Sequence, residues 1–423
     1  MKLTVLLFVL VLTVMGLPAR HTAQSKRSAQ EYVEEINRLL FEAEAADIND
    51  LEADARRQRA RTLAAQYAAR VKAGNPTGAD RLWLAYLYLF ANDTERTIVA
   101  LRELLDDKSL TEEYKQQARL LLVGRLSGLG RMDEAEAMLS AISASSFNVE
   151  EARTQAHEAL TVAYTRQGQM EKAVRHQEQA LADARQSGLI PRIWYTGVAL
   201  AQLYVAMDRK ADAVKLMDEL KAYFERQMRL AGGEPWDAIE TALEQVETTI
   251  AQLQLIDKPA PDIAPVKWIK ETPTTLAALR GQVVALEFWA AWCPDCRQFI
   301  PELRNWHMRY SKSGLKILSL TRFYGFNGRE TGKASEAEEL AFLSKFKLGR
   351  NIPYGVAIDD GQKGFDAYHA RSIPTLAIID RAGRVRMIFT WHTNPALAEY
   401  MIKKLLAEAA PTQSNPEPKP PSE

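Results

Sequence analysis

The sequence predicts a multidomain chain, an all-α helical solenoid followed by an α/β domain. Three observations point there. From about residue 29 to 255 the composition is rich in Ala, Leu, Glu, Arg and Gln and repeats itself at intervals of 37 to 40 residues. Beyond Pro259 and Pro261 the pattern changes to short apolar runs bounded by glycine and proline, as in strands that alternate with helices. The only two cysteines in 423 residues, Cys293 and Cys296, directly follow one of those runs.

At the N-terminus, Lys2 precedes an apolar run from Leu3 to Met15, then Gly16, Pro18 and His21-Thr22-Ala23. This predicts a secretory signal over residues 1–23, cleaved after Ala19 or Ala23. The run is short for a bilayer span, and no cysteine follows it to carry a lipid. The expected location is extracytoplasmic, periplasmic or secreted, with no stable membrane span after cleavage; retention of the segment as an anchor is the alternative. Charge is balanced, 54 acidic against 54 basic side chains. Without a basic block to track phosphates, a nucleic-acid partner is excluded. The apolar share, 47%, suits a globular chain of two or three domains.

The repeat spans residues 24–256. Leu126 to Ala135, Tyr164 to Ala173 and Tyr204 to Ala213 align, with a fainter first copy from Leu89 to Ile98. Their turn positions are Asp93, Gly130, Gly168 and Asp208. A large residue closes one helix, Gly or Asp makes the turn, and Ala five later allows a close helix crossing. The pattern resembles tetratricopeptide repeats (TPR), at spacings longer than the usual 34 residues. The resemblance implies a stack of helix pairs whose concave side binds a partner; the alternative is a helical domain that packs on its neighbour and binds nothing. Trp83, Tyr86, Tyr88 and Phe90 have the spacing of an inward helix face and read as core rather than as a ligand box. His157 and His176 read as packing or surface residues.

Asp257 to Pro261 reads as a linker, because closely spaced prolines stop a helix and favour extended backbone. Next comes the run Val283 to Trp289, then Ala290-Ala291-Trp292-Cys293-Pro294-Asp295-Cys296. This places Cys293 at a helix N-terminus, where unpaired N–H groups and the helix dipole stabilise a thiolate, the species that attacks disulfides. A second thiol three residues on is placed to resolve the mixed disulfide. A structural disulfide is an alternative, although so short a loop staples little. Half of a zinc site is another, although no second ligand pair exists among six scattered histidines.

These residues resemble a family. Pro261-Asp262, Leu279-Arg280-Gly281, Phe288-Trp289-Ala290, Trp292-Cys293, Pro301, Ser372-Ile373-Pro374-Thr375 and Asp380-Arg381-Ala382-Gly383 together are similar to the thioredoxin-fold domains of extracytoplasmic TlpA/ResA-like thiol-disulfide oxidoreductases. The resemblance covers about a third of the chain and implies a thioredoxin-fold domain over 257–409. It also implies that Pro374 is a cis proline facing the active site, with Ile373 free to pair with an extended client, and that Glu287 is a buried carboxylate. No cofactor is implied beyond a redox-active Cys293–Cys296 disulfide.

On its own, a carboxylate in an apolar strand demands a partner or a purpose, and burial would raise its pKa until it could take the proton of Cys296. A Glu at the open strand end meeting lysine or water is the alternative. Asp295, in the first helical turn, is expected to repel a Cys293 thiolate and leave that thiol less acidic, favouring a reducing couple. Leu315 to Leu320 reads as a strand and Thr321 to Gly349 as a polar insertion, its Gly325, Gly328 and Gly332 suggesting mobility. The Pro-rich tail, 410–423, is expected to be disordered.

Two functions compete. In one, Cys293 attacks a client disulfide, Cys296 resolves it, Glu287 shuttles the proton, Pro374 shapes the peptide groove, Trp292, Pro294, Asp295 and Ile373 support the site, and the repeats recruit protein clients, with an extracytoplasmic electron donor that the sequence does not name. In the other, the repeats are a binding scaffold and the second domain is a redox-inactive docking module. A thiol peroxidase is disfavoured because no PxxxTxxC arrangement leads into Cys293, Ala285 and Trp289 to Trp292 standing in that stretch.

Overall fold

The computed structural model describes residues 27–45, 50–142, 148–230, 237–390 and 394–408. The expected signal segment and the C-terminal tail lie outside the described residues. Contacts divide the chain into two units, residues 1–163 and 164–423.

The first unit is helical. Its helices are α1 (Ala29–Ala45), α2 (Asp50–Ala73), α3 (Asp80–Phe90), α4 (Thr94–Asp106), α5 (Glu112–Gly128) and α6 (Met132–Ser140), each packed on the next; α7 (Val149–Arg166) runs across the division. Trp83, Tyr86 and Phe90 are buried on α3, whereas Tyr88 is half-buried. His157 is buried on α7.

The second unit begins with α8 (Met170–Ser187), α9 (Ile190–Ala206), α10 (Lys210–Leu230) and α11 (Asp237–Leu255). His176 of α8 stacks on Tyr164 at 5.3 Å. Helix α9 is apolar on nearly every face because it packs against α8, α10 and α11 at once.

All four repeat turns have one geometry, in which the N–H of the residue after a left-handed residue returns to the carbonyl five positions back. The bonds run from Asp93 to Tyr88, Arg131 to Leu126, Gln169 to Tyr164 and Arg209 to Tyr204, at 2.8 to 3.0 Å. This is the Schellman closure of a helix C-terminus, and it needs positive φ at one residue. That residue is Gly130 (77°), Gly168 (73°), Asp208 (60°) and, in the first copy, Asn92 (62°). The first turn therefore lies one residue earlier than the sequence alignment put it. Asp93 is the N-cap of α4 instead, accepting the Arg96 N–H at 3.1 Å. Five residues beyond each turn stand Thr97, Ala135, Ala173 and Ala213, all fully buried.

The α/β part of this unit is a six-stranded sheet of order β1-β4-β3-β2-β5-β6, with β1 (Lys267–Trp268), β2 (Val283–Phe288), β3 (Leu315–Thr321), β4 (Gly355–Ile358), β5 (Thr375–Ile379) and β6 (Val385–Thr390). Strands β2, β3 and β4 are parallel neighbours, and the other pairs are antiparallel. All six residues of β2 are buried, as the central place of the strand requires. The remaining helices are α12 (Pro294–Tyr310), α13 (Glu336–Gly349), α14 (Lys363–Ala367) and α15 (Pro395–Ala407). At the β5–β6 turn Gly383 has φ 73° and its N–H bonds Asp380 O, the hairpin that Asp380 to Gly383 predicts.

Helices α9 and α11 pack against β6, and α9 also meets α15. The predicted linker is extended but not free. Asp257 N–H bonds Val385 O, Val385 N–H bonds Lys258 O, and Ala260 N–H bonds Gly383 O. Arg386 of β6 gathers Asp208, Asp257 and Asp380 at 3.2 to 3.5 Å, and Lys404 of α15 meets Asp208 at 2.7 Å. Gln252 of α11 donates to the carbonyl of His369 at 3.0 Å.

The insertion after β3, expected to be mobile, is tied down. Gly332 N–H bonds Tyr324 O, while Lys333 and Ala334 N–H both bond Gly325 O. Phe326 is buried edge-on against Phe342 of α13, at 5.1 Å. The glycines serve a compact loop that needs positive φ at Gly325, Gly328 and Gly332 rather than freedom of motion.

Candidate active site

Strand β2 ends at Phe288, and Trp289 N–H still bonds Leu320 O of β3 at 3.0 Å before the chain turns into α12. Cys293 is the N-cap of that helix and Pro294 opens it, where a missing N–H costs nothing. The Cys293 sulfur accepts the Cys296 N–H at 3.3 Å. It also lies 3.8 Å from the carbonyl of Ile373, whose bond to Pro374 is cis. The two cysteines are free thiols, Cys293 5% exposed and Cys296 fully buried.

The environment separates their acidities. Hydrogen bonds from the thiol and N–H of Cys296 pull Cys293 below the ordinary thiol value, against its burial and the charge of Asp295. Burial pushes Cys296 well above that value, helped by its bond to Cys293 and by the charges of Cys293 and Glu287. Asp295 therefore repels the Cys293 thiolate as expected, but the bonds from Cys296 outweigh it; the thiol is more acidic than an ordinary one rather than less, and the reducing couple expected from Asp295 loses that basis.

Glu287, 1% exposed, lies on β2 opposite Ser319 of β3. The Ser319 hydroxyl donates to Glu287 Oε2, while Oε1 is buried with no hydrogen-bond partner. Burial pushes this carboxyl up to about 8, against the Ser319 bond and with a further rise from the charge of Cys293. It is a group that can exchange a proton near neutral pH.

Trp292 is half-buried and meets Tyr324 edge-on at 5.4 Å. Arg322 lies over the Tyr324 ring at 4.7 Å. Glu339, buried on α13, holds this part of the loop by accepting Tyr324 N–H at 3.0 Å and Gly325 N–H at 2.7 Å. Asp295 is half-buried and Pro294 exposed. The structure thus brings Cys293, Cys296, Glu287, Trp292, Asp295, Ile373 and Pro374 to one end of the sheet.

Sequence reasoning missed Ser319, Tyr324, Glu339 and Tyr354, which is buried just before β4. Ser319 had a signal, since a hydroxyl interrupts an apolar strand there just as Glu287 does in β2. The other three are brought in by tertiary packing. His307 sits on α12 with its ring 6.4 Å from that of Tyr354, and burial and Lys316 hold its pKa below the usual value.

Residues 256–388 match the AhpC/TSA family. The chain is 30% identical over 164 residues to protein DipZ of Mycobacterium bovis, covering 38% of this chain and 22% of DipZ. It is 30% identical over 130 residues to the thiol-disulfide oxidoreductase ResA of Bacillus thuringiensis, covering 30% of this chain and 66% of ResA. A crystal structure of a thioredoxin-like superfamily protein aligns with 36% of this chain and 99% of its own, at 28% identity and a TM-score of 0.32. The chain spans less than two thirds of either curated relative, and none of these matches extends over the whole of the helical region. Behind that mostly helical region, residues 256–388 form a thioredoxin-like α/β domain that matches the AhpC/TSA family model and is similar to parts of DipZ and of ResA-type thiol-disulfide oxidoreductases.

Proposed function

We propose that the chain is an extracytoplasmic thiol-disulfide oxidoreductase, a reductase of protein clients that the helical repeats recruit. The observation that carries this reading is the division of labour at the head of α12. Cys293, at a helix N-cap, is held below the ordinary thiol pKa by its bonds from Cys296, whereas Cys296, buried behind it, is pushed well above that value by burial and holds its proton the more tightly.

The Cys293 thiolate attacks one sulfur of a client disulfide; a Cys293–client bond forms, the client S–S bond breaks, and a client thiolate leaves. Cys296 then gives its proton to Glu287 Oε1 and attacks the Cys293 sulfur. The Cys293–Cys296 disulfide forms and the second client thiolate departs. The client gains two electrons, the pair loses them, and an external thiol donor must restore the dithiol. The backbone of Ile373, whose carbonyl lies 3.8 Å from the Cys293 sulfur, is where an extended client would add as a strand, and Trp292 and Tyr324 offer apolar contact beside it.

Location is part of the proposal. It rests on the N-terminal pattern; among the described residues no helix is long and apolar enough to cross a membrane. The test is reduction of insulin or a model disulfide by the protein beside its Cys293→Ser variant. Turnover by the first and none by the second is expected. Turnover by neither would leave a helical-repeat scaffold with a redox-inactive domain, and equal turnover by both would show that Cys293 does not carry the reaction.

A further inference from the structure

The reading of Glu287 as the base for Cys296 leaves open which carboxylate oxygen takes the proton and what keeps a fully buried carboxyl from remaining protonated. Resting on that reading, we propose that Ser319 and Tyr354 position Glu287, two hydroxyls in series that engage Oε2 and leave Oε1 as the oxygen open to the Cys296 proton.

The register supplies the first part. Glu287 and Ser319 are direct partners across the parallel pair β2–β3, and both side chains are buried. Ser319 has a single proton and spends it on Oε2, which leaves its own oxygen free to accept. Tyr354 supplies the second part. It leads into β4, whose Val356 is the register partner of Ser319. Its hydroxyl is buried without a well-formed hydrogen bond, yet lies close enough to the Ser319 side chain to interact with it and close enough to Glu287 to feel its charge. A buried phenol with an unspent proton beside a hydroxyl with an unspent lone pair calls for a bond between them. Donation from Tyr354 to Ser319 polarises the Ser319 proton toward Oε2.

The consequence is electrostatic as well as geometric. Burial works to keep Glu287 protonated, and a hydroxyl donor to its ionised form opposes that. The other ionisable groups facing the cluster are few. Helix α12 contributes Cys293, whose charge raises Glu287, Cys296, which Glu287 raises in turn, Arg304, which lowers Tyr354, and His307, its ring 6.4 Å from that of Tyr354, while Lys347 of α13 donates to the Tyr354 carbonyl at 3.0 Å. Strand β5 places Leu376 opposite Glu287. On α15, which packs against β2, Glu399 is taken by Arg309 and Tyr310. Among the described residues, Ser319 is the hydrogen-bond donor to this carboxyl, set against burial and the charge of Cys293.

A single-turnover assay on the full chain with Ellman's reagent separates the steps. Attack by Cys293 releases one thionitrobenzoate, and resolution by Cys296 releases the second. Ser319→Ala and Tyr354→Phe remove one hydroxyl each with little change of shape. In Ser319→Ala the pH midpoint of the second phase should rise by about one unit, so that below the midpoint resolution is about tenfold slower and recovers at alkaline pH. Tyr354→Phe should move it the same way by less, with the first phase following its own profile in both. Glu287→Gln should lose that limb altogether. An unmoved midpoint in both hydroxyl variants, or a uniform slowing at every pH, would overturn the positioning role while leaving Glu287 as the base. A Glu287→Gln variant that keeps the wild-type limb would overturn both.

Discussion

The N–H of Cys296 points at the sulfur of Cys293 from 3.3 Å, so the residue proposed to resolve a mixed disulfide also donates to the sulfur proposed to start one. This coupling makes the two thiols chemically unequal although they lie three residues apart. With iodoacetamide at neutral pH, Cys293 should be alkylated and Cys296 spared until the protein is denatured, which mass spectrometry of peptides would show. Equal labelling of both in the folded protein would contradict the assigned roles.

Glu287 leads to a second expectation. Its pKa in the folded protein, about 8, stands above the ordinary 4.5. A raised carboxyl stabilises the fold fully below the unfolded pKa and loses that contribution as pH rises through the folded one, by about 1.4 kcal/mol for each pH unit that separates the two. The reduced protein should therefore lose stability between pH 4.5 and 8 through this group. His307, whose pKa is lowered, works in the opposite sense over part of that window. The comparison that isolates Glu287 is chemical denaturation of wild type and Glu287→Gln at pH 5 and pH 9. The variant should gain on wild type at the higher pH, and a constant difference would show that the carboxyl is not perturbed.

Asp295 makes a smaller contribution of definite sign. Its charge raises the pKa of Cys293, so Asp295→Asn should lower that pKa and stabilise the reduced pair. The couple should become more oxidising by roughly 10 to 30 mV, measured against glutathione. No movement would mean that the hydrogen bonds from Cys296 alone decide the acidity of Cys293.

Glu339 is the pin of the loop beside Trp292. Glu339→Ala would leave the part-buried N–H groups of Tyr324 and Gly325 without their acceptor, at a cost of about 1 kcal/mol each. The loop should open to proteases between residues 322 and 334 and Trp292 should lose its contact with Tyr324, seen as a change in its fluorescence. Unaltered proteolysis and emission would show that Phe326 and the internal bonds of the loop suffice.

Much of this arrangement was legible in the sequence because its signals are local. An apolar run ending in Trp292-Cys293-Pro294 specifies a strand, a turn and a helix N-cap, and the left-handed residues at Gly130, Gly168 and Asp208 follow from residue type at a fixed spacing. The first repeat was misplaced by one residue because Asn92 and Asp93 both suit a helix boundary, one as the left-handed stop and the other as the next N-cap. Glycines alone suggested mobility in the insertion; they could not reveal a carboxylate fourteen residues away that binds its backbone. Nor could Asp295, read in isolation, disclose that an N–H and a thiol from Cys296 would prevail over its charge. Tyr354 reaches the site through the order of the sheet, which no local pattern encodes.

The most direct measurement is the reduction potential of the Cys293/Cys296 pair, from equilibration with dithiothreitol or glutathione ratios while Trp292 fluorescence is followed. The account predicts one two-electron transition at or below roughly −250 mV, absent from Cys293→Ser. A transition near −120 mV would contradict the reductase assignment, and no transition at all would contradict dithiol chemistry altogether.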